Sequence, residues 1–228
     1  PMRGRGIPVP AGHIPKEVFP MYSCAQCAIH ACYQQDHSKM PANCPMRQAD
    51  QMQKAFAVYS QPAYQDFYIQ SCIVEAEGYG EWPRLRETIE FAKKLGYTRL
   101  GMAFCYGLRK EAKIVDSLLR RHGFEVVSVI CKTGGIDKSE AGIPGQYRVR
   151  PERSFEAMCN PVAQAMLLNS QHTQLNISLG LCVGHDALFA KFSDALVTTL
   201  VVKDRALANN PVGAIYCAEG YLAPKLEP

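Results

Sequence analysis

From Arg99 to Lys203 the chain alternates short apolar runs with longer stretches whose apolar residues recur at helical spacing. This alternation restricts the fold more than any other feature. Arg99 to Cys105, Phe124 to Cys131, Leu175 to Val183 and Ala195 to Lys203 have strand length, and the second, FEVVSVIC, is β-branched through much of its span. Between them Leu108, Ala112, Val115, Leu118 and Leu119 mark a helix that stops at Gly123. Asn160-Pro161 puts a capping residue and an N1 proline before a helix over Val162 to Asn169, and a further helix is predicted from about His185 to Phe192. Strands apolar on both faces, each followed by a helix, predict a parallel sheet covered on both sides. The expected class is α/β, a Rossmann-like three-layer fold.

The chain before that region has another character. Leu85, Ile89, Ala92 and Leu95 form an amphipathic helix closed by Gly96. Helices are also predicted over Arg47 to Ser60, broken at Gln61-Pro62, and from about Tyr64 to Glu77. Five prolines and three glycines in residues 1–20 disfavour regular structure there, so an extended arm is expected. The expected organisation is an arm over 1–20, a Cys-rich metal module with helices over 21–80, and the α/β domain over 81–228. With 228 residues, 47% of them apolar and 20% charged, the chain can bury one main core.

The charge balance, 25 Lys and Arg against 21 Asp and Glu, is scattered and gives no electrostatic case for nucleic acid. No apolar run approaches bilayer length, and Pro1 to Pro20 has no apolar signal region, so a soluble, cytoplasmic protein with no membrane partner is expected. A small-molecule or anionic ligand is the expected partner, and oligomeric state leaves no mark in the sequence.

Ten cysteines are the outlying chemical feature. Cys24, Cys27, Cys32 and Cys44 follow the pattern C-x2-C-x4-C-x11-C, with Pro45 next and His30 and His37 inside the span. A close pair of thiolates plus two later ones can wrap a soft cation, and four can equally hold an iron–sulfur cluster. Spacing leaves zinc and iron–sulfur both open, against the plainer alternative of disulfides or free thiols.

Cys105, Cys131 and Cys182 each fall at or near the carboxyl end of a predicted buried strand, and Cys159 immediately precedes the Asn160-Pro161 helix start. Parallel strands aim their carboxyl ends alike, so the four thiols should meet on the sheet edge where open α/β folds place ligands. A helix N-terminus there favours thiolate. Lys132, His185 and Asp186 could supply a cation, a proton carrier and a carboxylate, while Gly134, Gly135 and Asn160 could cradle an anion. Such a site would hold an iron–sulfur cluster or act through reactive thiols. Singly, each of these cysteines would more often be inert core. Lys203-Asp204-Arg205 follows the last strand and would also reach this edge, with a solvated turn as the plainer reading; Asn209 and Asn210 read as caps of a final helix, and Cys72 and Cys217 as packing residues.

CAQCAIHAC with the later NCP, EFAKKLGYTRLGMAFCYGL, VICKTGGIDK, MCNPVAQAMLLN, GLCVGHDALF and VVKDRALANNP resemble the prokaryotic family known as domain of unknown function 1847, over about residues 22 to 222. Its members are usually called metal-binding protein. Where the family often carries His before the final Asn-Pro, this chain has Asn209. The resemblance implies a metal at the N-terminal cysteines and no particular reaction. Two functions follow from the residues. One is a redox or sulfur-handling metalloenzyme that uses the sheet-edge thiols. The other is a zinc-stabilised α/β module that senses or carries a small anion or metal.

Overall fold

A computed structural model describes residues 21–226 of the chain; the expected arm over residues 1–20 lies outside them. Two compact units divide between Gln65 and Asp66.

The first unit is built mainly of turns, with short helix α1 at Ala31–Gln34 and one longer helix, α2, at Ala49–Tyr59. Side chains tie its loops together: Asn43 Nδ2 donates to Ser23 Oγ at 2.7 Å, and the Arg47 guanidinium donates to the Met40 and Pro41 carbonyls at 2.7 and 2.8 Å.

The second unit opens with α3, Gln65–Gly78, and α4, Arg84–Lys94. Then come β1 at Arg99–Phe104, α5 at Arg109–Arg121, β2 at Glu125–Ile130, α6 at Pro161–Ser170, β3 at Leu175–Leu179, α7 at His185–Phe192, β4 at Val197–Val201 and the short α8 at Val212–Tyr216. The four strands are parallel in the order β2-β1-β3-β4. The α/β class expected from the alternation is therefore the observed one.

The chain enters each of the first two strands through the same device. After α4, Gly96 takes φ +66°, its N–H donates to the Lys93 carbonyl and the Tyr97 N–H to that of Ala92. After α5, Gly123 takes φ +92°, donating to Arg120, while Phe124 donates to Leu119. Both are Schellman ends, in which a left-handed glycine satisfies the last carbonyls of the helix and turns the chain.

Alternation along the strands then sorts side chains between two layers. Leu100, Met102, Leu175, Ile177 and Leu179 pack with Ile89 and Ala92 of α4 and Ala112, Val115 and Leu119 of α5. On the opposite face Ala103 packs with Ala165 and Leu168 of α6 and Phe189 of α7. Helices thus cover both faces of the sheet.

The strand order fixes where a site can form. β2 lies on one side of β1 and β3 on the other, so the chain reverses its winding between β1 and β3. The connections after those two strands diverge and leave a crevice at their carboxyl ends. Cys105 follows β1 directly and Cys182 comes three residues after β3.

Candidate functional site

All ten cysteines are free. Four of them, Cys105, Cys131, Cys159 and Cys182, line a single void of about 10 Å³ at this crevice, together with Pro161, Gln164, Leu181 and His185. The sequence places three of these thiols there through strand ends. The fourth arrives by a long excursion between β2 and α6.

The base of that excursion is fixed to the sheet. Asp137 and Ala157 form an antiparallel bridge, the Met158 N–H donates to the Ile136 carbonyl at 2.8 Å, and the Asn160 N–H donates to the Cys131 carbonyl at 2.8 Å. Arg148 and Asp137 form an ion pair at 2.7 Å with both side chains largely covered. Asn160 caps α6 as expected, accepting the Ala163 N–H at 3.1 Å with Pro161 at N1. Cys159 is therefore held at the carboxyl end of β2.

The thiols form a chain. Cys131, only 3% exposed, shares hydrogen bonds with Cys105 on one side and Cys159 on the other. Its sulfur also accepts the Tyr106 N–H at 3.3 Å. Bonding to both neighbouring sulfurs, then burial, keeps the Cys131 proton in place far above the ordinary thiol range. A thiol carries one hydrogen, so Cys131 donates to one end of the chain at a time. The end sulfur that receives this hydrogen is pulled down to about 5, against the desolvation that opposes it.

Each accessible thiol also has its own cation. For Cys105, after the Cys131 bond and burial, the Gly107 N–H at 3.4 Å and the Lys203 ammonium favour thiolate. For Cys159 the corresponding groups are Lys132, with Nζ 3.4 Å from Sγ, and His185. Lys132 is aimed by a second bond, from Nζ to the Ala157 carbonyl at 2.6 Å. Arg205 Nη2 donates to Cys182 Sγ at 3.0 Å. Lys203 and Arg205 thus turn inward and belong to this site, whereas their position after a strand reads as a solvated turn in the sequence. Gly180, at φ +64°, makes room: a Cβ there would stand 2.1 Å from Leu108 Cδ1 and 3.5 Å from Lys203 Nζ.

Gln164 is the residue that sequence reasoning missed. It is fully buried on α6, and its Nε2 donates to the carbonyls of Val129 at 2.7 Å and Phe104 at 3.3 Å, stitching α6 to the ends of β1 and β2. Both partners are acceptors, so the amide orientation is fixed by chemistry. Its Oε1 is left buried without a hydrogen-bond partner. The signal was available, because Pro161, Gln164, Ala165 and Leu168 are the buried stripe of α6, spaced i, i+3, i+4 and i+7.

Other expected residues stand apart from the void. The Asp186 carboxylate accepts the N–H of Ala187. Gly134 and Gly135 adopt φ +99° and +59° in the turn after β2 and are not among the void's lining residues. Two expectations are corrected: Cys72, on α3, and Cys217, just after α8, are exposed instead of packed, because Cys72 lies off the buried positions Val74 and Gly78 of α3 and α8 buries none of its residues. Asn209 accepts the Asp204 N–H and so closes its own loop, and α8 starts at Val212 with Pro211 at its N-cap and no side-chain cap bond.

In the first unit, Cys24, Cys27, Cys32 and Cys44 line one hollow of about 390 Å³. The Cys27 sulfur accepts the His30 and Ile29 N–H groups, which lower its pKa. Among the described residues, however, no group of three or more His, Cys, Asp or Glu is arranged to hold a metal ion, at these cysteines or at the sheet edge. A larger cavity of about 430 Å³, around Phe67, Val74, Phe91 and Arg84, lies by Leu175 and Val197, where β3 and β4 begin, the end of the sheet away from these thiols. No described helix is long and apolar enough to cross a membrane.

No solved structure matches the chain. It is similar to the uncharacterized protein MJ0455 of Methanocaldococcus jannaschii, with 42% identity over 204 residues, covering 90% of this chain and 98% of that relative. The pattern of the family described as protein of unknown function, DUF1847, matches residues 44–200, a span that runs from Cys44 through all four sheet-edge cysteines. With more than half of the chain matched and a full-length relative at this identity, the chain belongs to the DUF1847 family.

Proposed function

We propose that the carboxyl edge of the sheet is a thiolate centre for redox or sulfur-transfer chemistry on a small substrate, with Cys159 and Cys105 as the nucleophiles. The observation that carries this reading is the position of buried Cys131 between them at one void, where its single hydrogen can go to either sulfur. Lys132, Lys203 and Arg205 add positive charge at Cys159, Cys105 and Cys182. A thiolate is the reactive form of cysteine, and hydrogen bonds with nearby cations are what produce it at neutral pH.

Labelling order tests this. At pH 6, half-buried Cys159 and Cys105 should react with iodoacetamide about tenfold or more faster than exposed Cys72 and Cys217, as read by peptide mass mapping. Labelling that simply follows exposure overturns the assignment.

A second reading concerns the first unit. Two backbone N–H bonds to one sulfur, with three more cysteines round the same hollow, suit a soft cation held by Cys24, Cys27, Cys32 and Cys44. The four sulfurs would have to draw inward to reach it. Zinc, iron and sulfide analysis of protein purified without oxygen should find metal that Cys27→Ser loses; metal-free protein removes this reading.

A further inference from the structure

The void among the thiols is small for a reason that the thiolate reading alone does not supply. At about 10 Å³ it has room for one water-sized guest. Its walls are unusual in combination. Four of its eight lining residues are cysteines, Cys105, Cys131, Cys159 and Cys182. Three cations, Lys132, Lys203 and Arg205, approach those sulfurs. One wall is the fully buried Gln164, whose Oε1 lacks a donor. Asn176 Nδ2 and Ser178 Oγ are also unpartnered, but of the three residues only Gln164 lines the void. A buried carbonyl oxygen without a donor is costly, so an occupant carrying one hydrogen fits this wall. A bare cation fits poorly beside three positive side chains.

We propose that the void seats a single sulfane sulfur atom, taken up by Cys159 from a hydropersulfide or inorganic polysulfide. This rests on the thiolate reading and names its substrate class. The Cys159 thiolate attacks the outer sulfur of R–S–SH; a new S–S bond forms, the donor's S–S bond breaks, and its electron pair leaves on RS⁻. The products are Cys159–S–SH and RS⁻, so charge and hydrogen balance and no outside oxidant or reductant is consumed. The transferred sulfur keeps its hydrogen, which Gln164 Oε1 accepts. Lys132 then stabilises the persulfide once it ionises, and the void admits no further sulfur atom.

Reduced full-length protein, exposed to inorganic polysulfide without oxygen and freed of excess, is read by peptide mass spectrometry and by cyanide, which removes sulfane sulfur as thiocyanate. The expected result is one added sulfur at Cys159, released as one thiocyanate per chain. Uptake should be absent in Cys159→Ser and slowed about tenfold in Lys132→Met, which removes the cation and leaves the thiols in place. Chains of several sulfurs, or equal loading of exposed Cys72 and Cys217, overturn the single-atom seat. If Cys159 alkylates rapidly at pH 6 yet takes up no sulfur, the seat is wrong and the thiolate centre stands. If Cys159 is slow in both reactions, both readings fail.

Discussion

Cys131→Ala should slow the reaction of Cys159 with iodoacetamide at pH 6 by about tenfold or more, although Cys131 itself is too buried to meet the reagent. While Cys131 donates to it, Cys159 is held near 5 with that hydrogen as the largest influence, so in that state the sulfur is chiefly thiolate at pH 6. Without it, Lys132 and His185 remain, but burial now opposes ionisation with less to offset it. The thiolate fraction then falls towards that of an ordinary cysteine, whose pKa is about 8.5. Part of the loss is recovered because a more basic thiolate is intrinsically more nucleophilic. Cys131→Ser separates hydrogen donation from packing: it keeps an O–H in the same place and should retain most of the reactivity that Cys131→Ala loses. Equal loss in both variants would mean that Cys131 acts only by filling space.

The second large effect is structural. Gly101→Ala should destabilise the protein by about 2–5 kcal/mol, combining overpacking with a disturbed buried polar group. Gly101 is paired with Asn176 in the register of β1 and β3, and a Cβ at 101 would stand 2.0 Å from Asn176 Oδ1 and 3.0 Å from Leu168 Cδ1. Asn176 is fully buried and its Oδ1 takes the Thr173 hydroxyl at 2.8 Å, so the amide cannot turn away without losing that bond. Against a total stability of about 5–15 kcal/mol this is a severe change. Urea unfolding of the single variant and of Gly101→Ala with Asn176→Ala measures it: removing the amide should return part of the loss. A single variant within 1 kcal/mol of the parent would contradict the close approach.

Much of this architecture is legible in the chain because its signals are local. The glycines at 96 and 123 sit where left-handed helix ends are needed, Asn160-Pro161 starts α6, and His185 to Phe192 is helical as its pattern predicts. The meeting of Cys105, Cys131, Cys159 and Cys182 also follows, since parallel strands share one carboxyl edge. What the sequence hides are choices made across distance. The place of Lys203 and Arg205 after the last strand puts them at this edge, but a solvated turn reads as well there, because their partners, Cys105 and Cys182, are brought near only by the strand order. Gln164 looks like an ordinary polar helix residue until the carbonyls of Phe104 and Val129 arrive from two other strands. Cys72 and Cys217 show the reverse error: cysteine is usually buried, and a residue-type tendency was read where only the helix face could decide.

The most direct test of the thiolate centre is the pH dependence of Cys159 modification, followed at that peptide between pH 4 and 9 in the native protein. The hydrogen from Cys131 and the positive charge of Lys132, His185 and Arg205 favour the thiolate of this sulfur. Because the reacting form is the thiolate, the rate should fall as pH drops, with its midpoint near 5. Above pH 6 it should change little. A rate that instead rises through pH 8 to 9, as for an unassisted thiol of about 8.5, would contradict the centre described here.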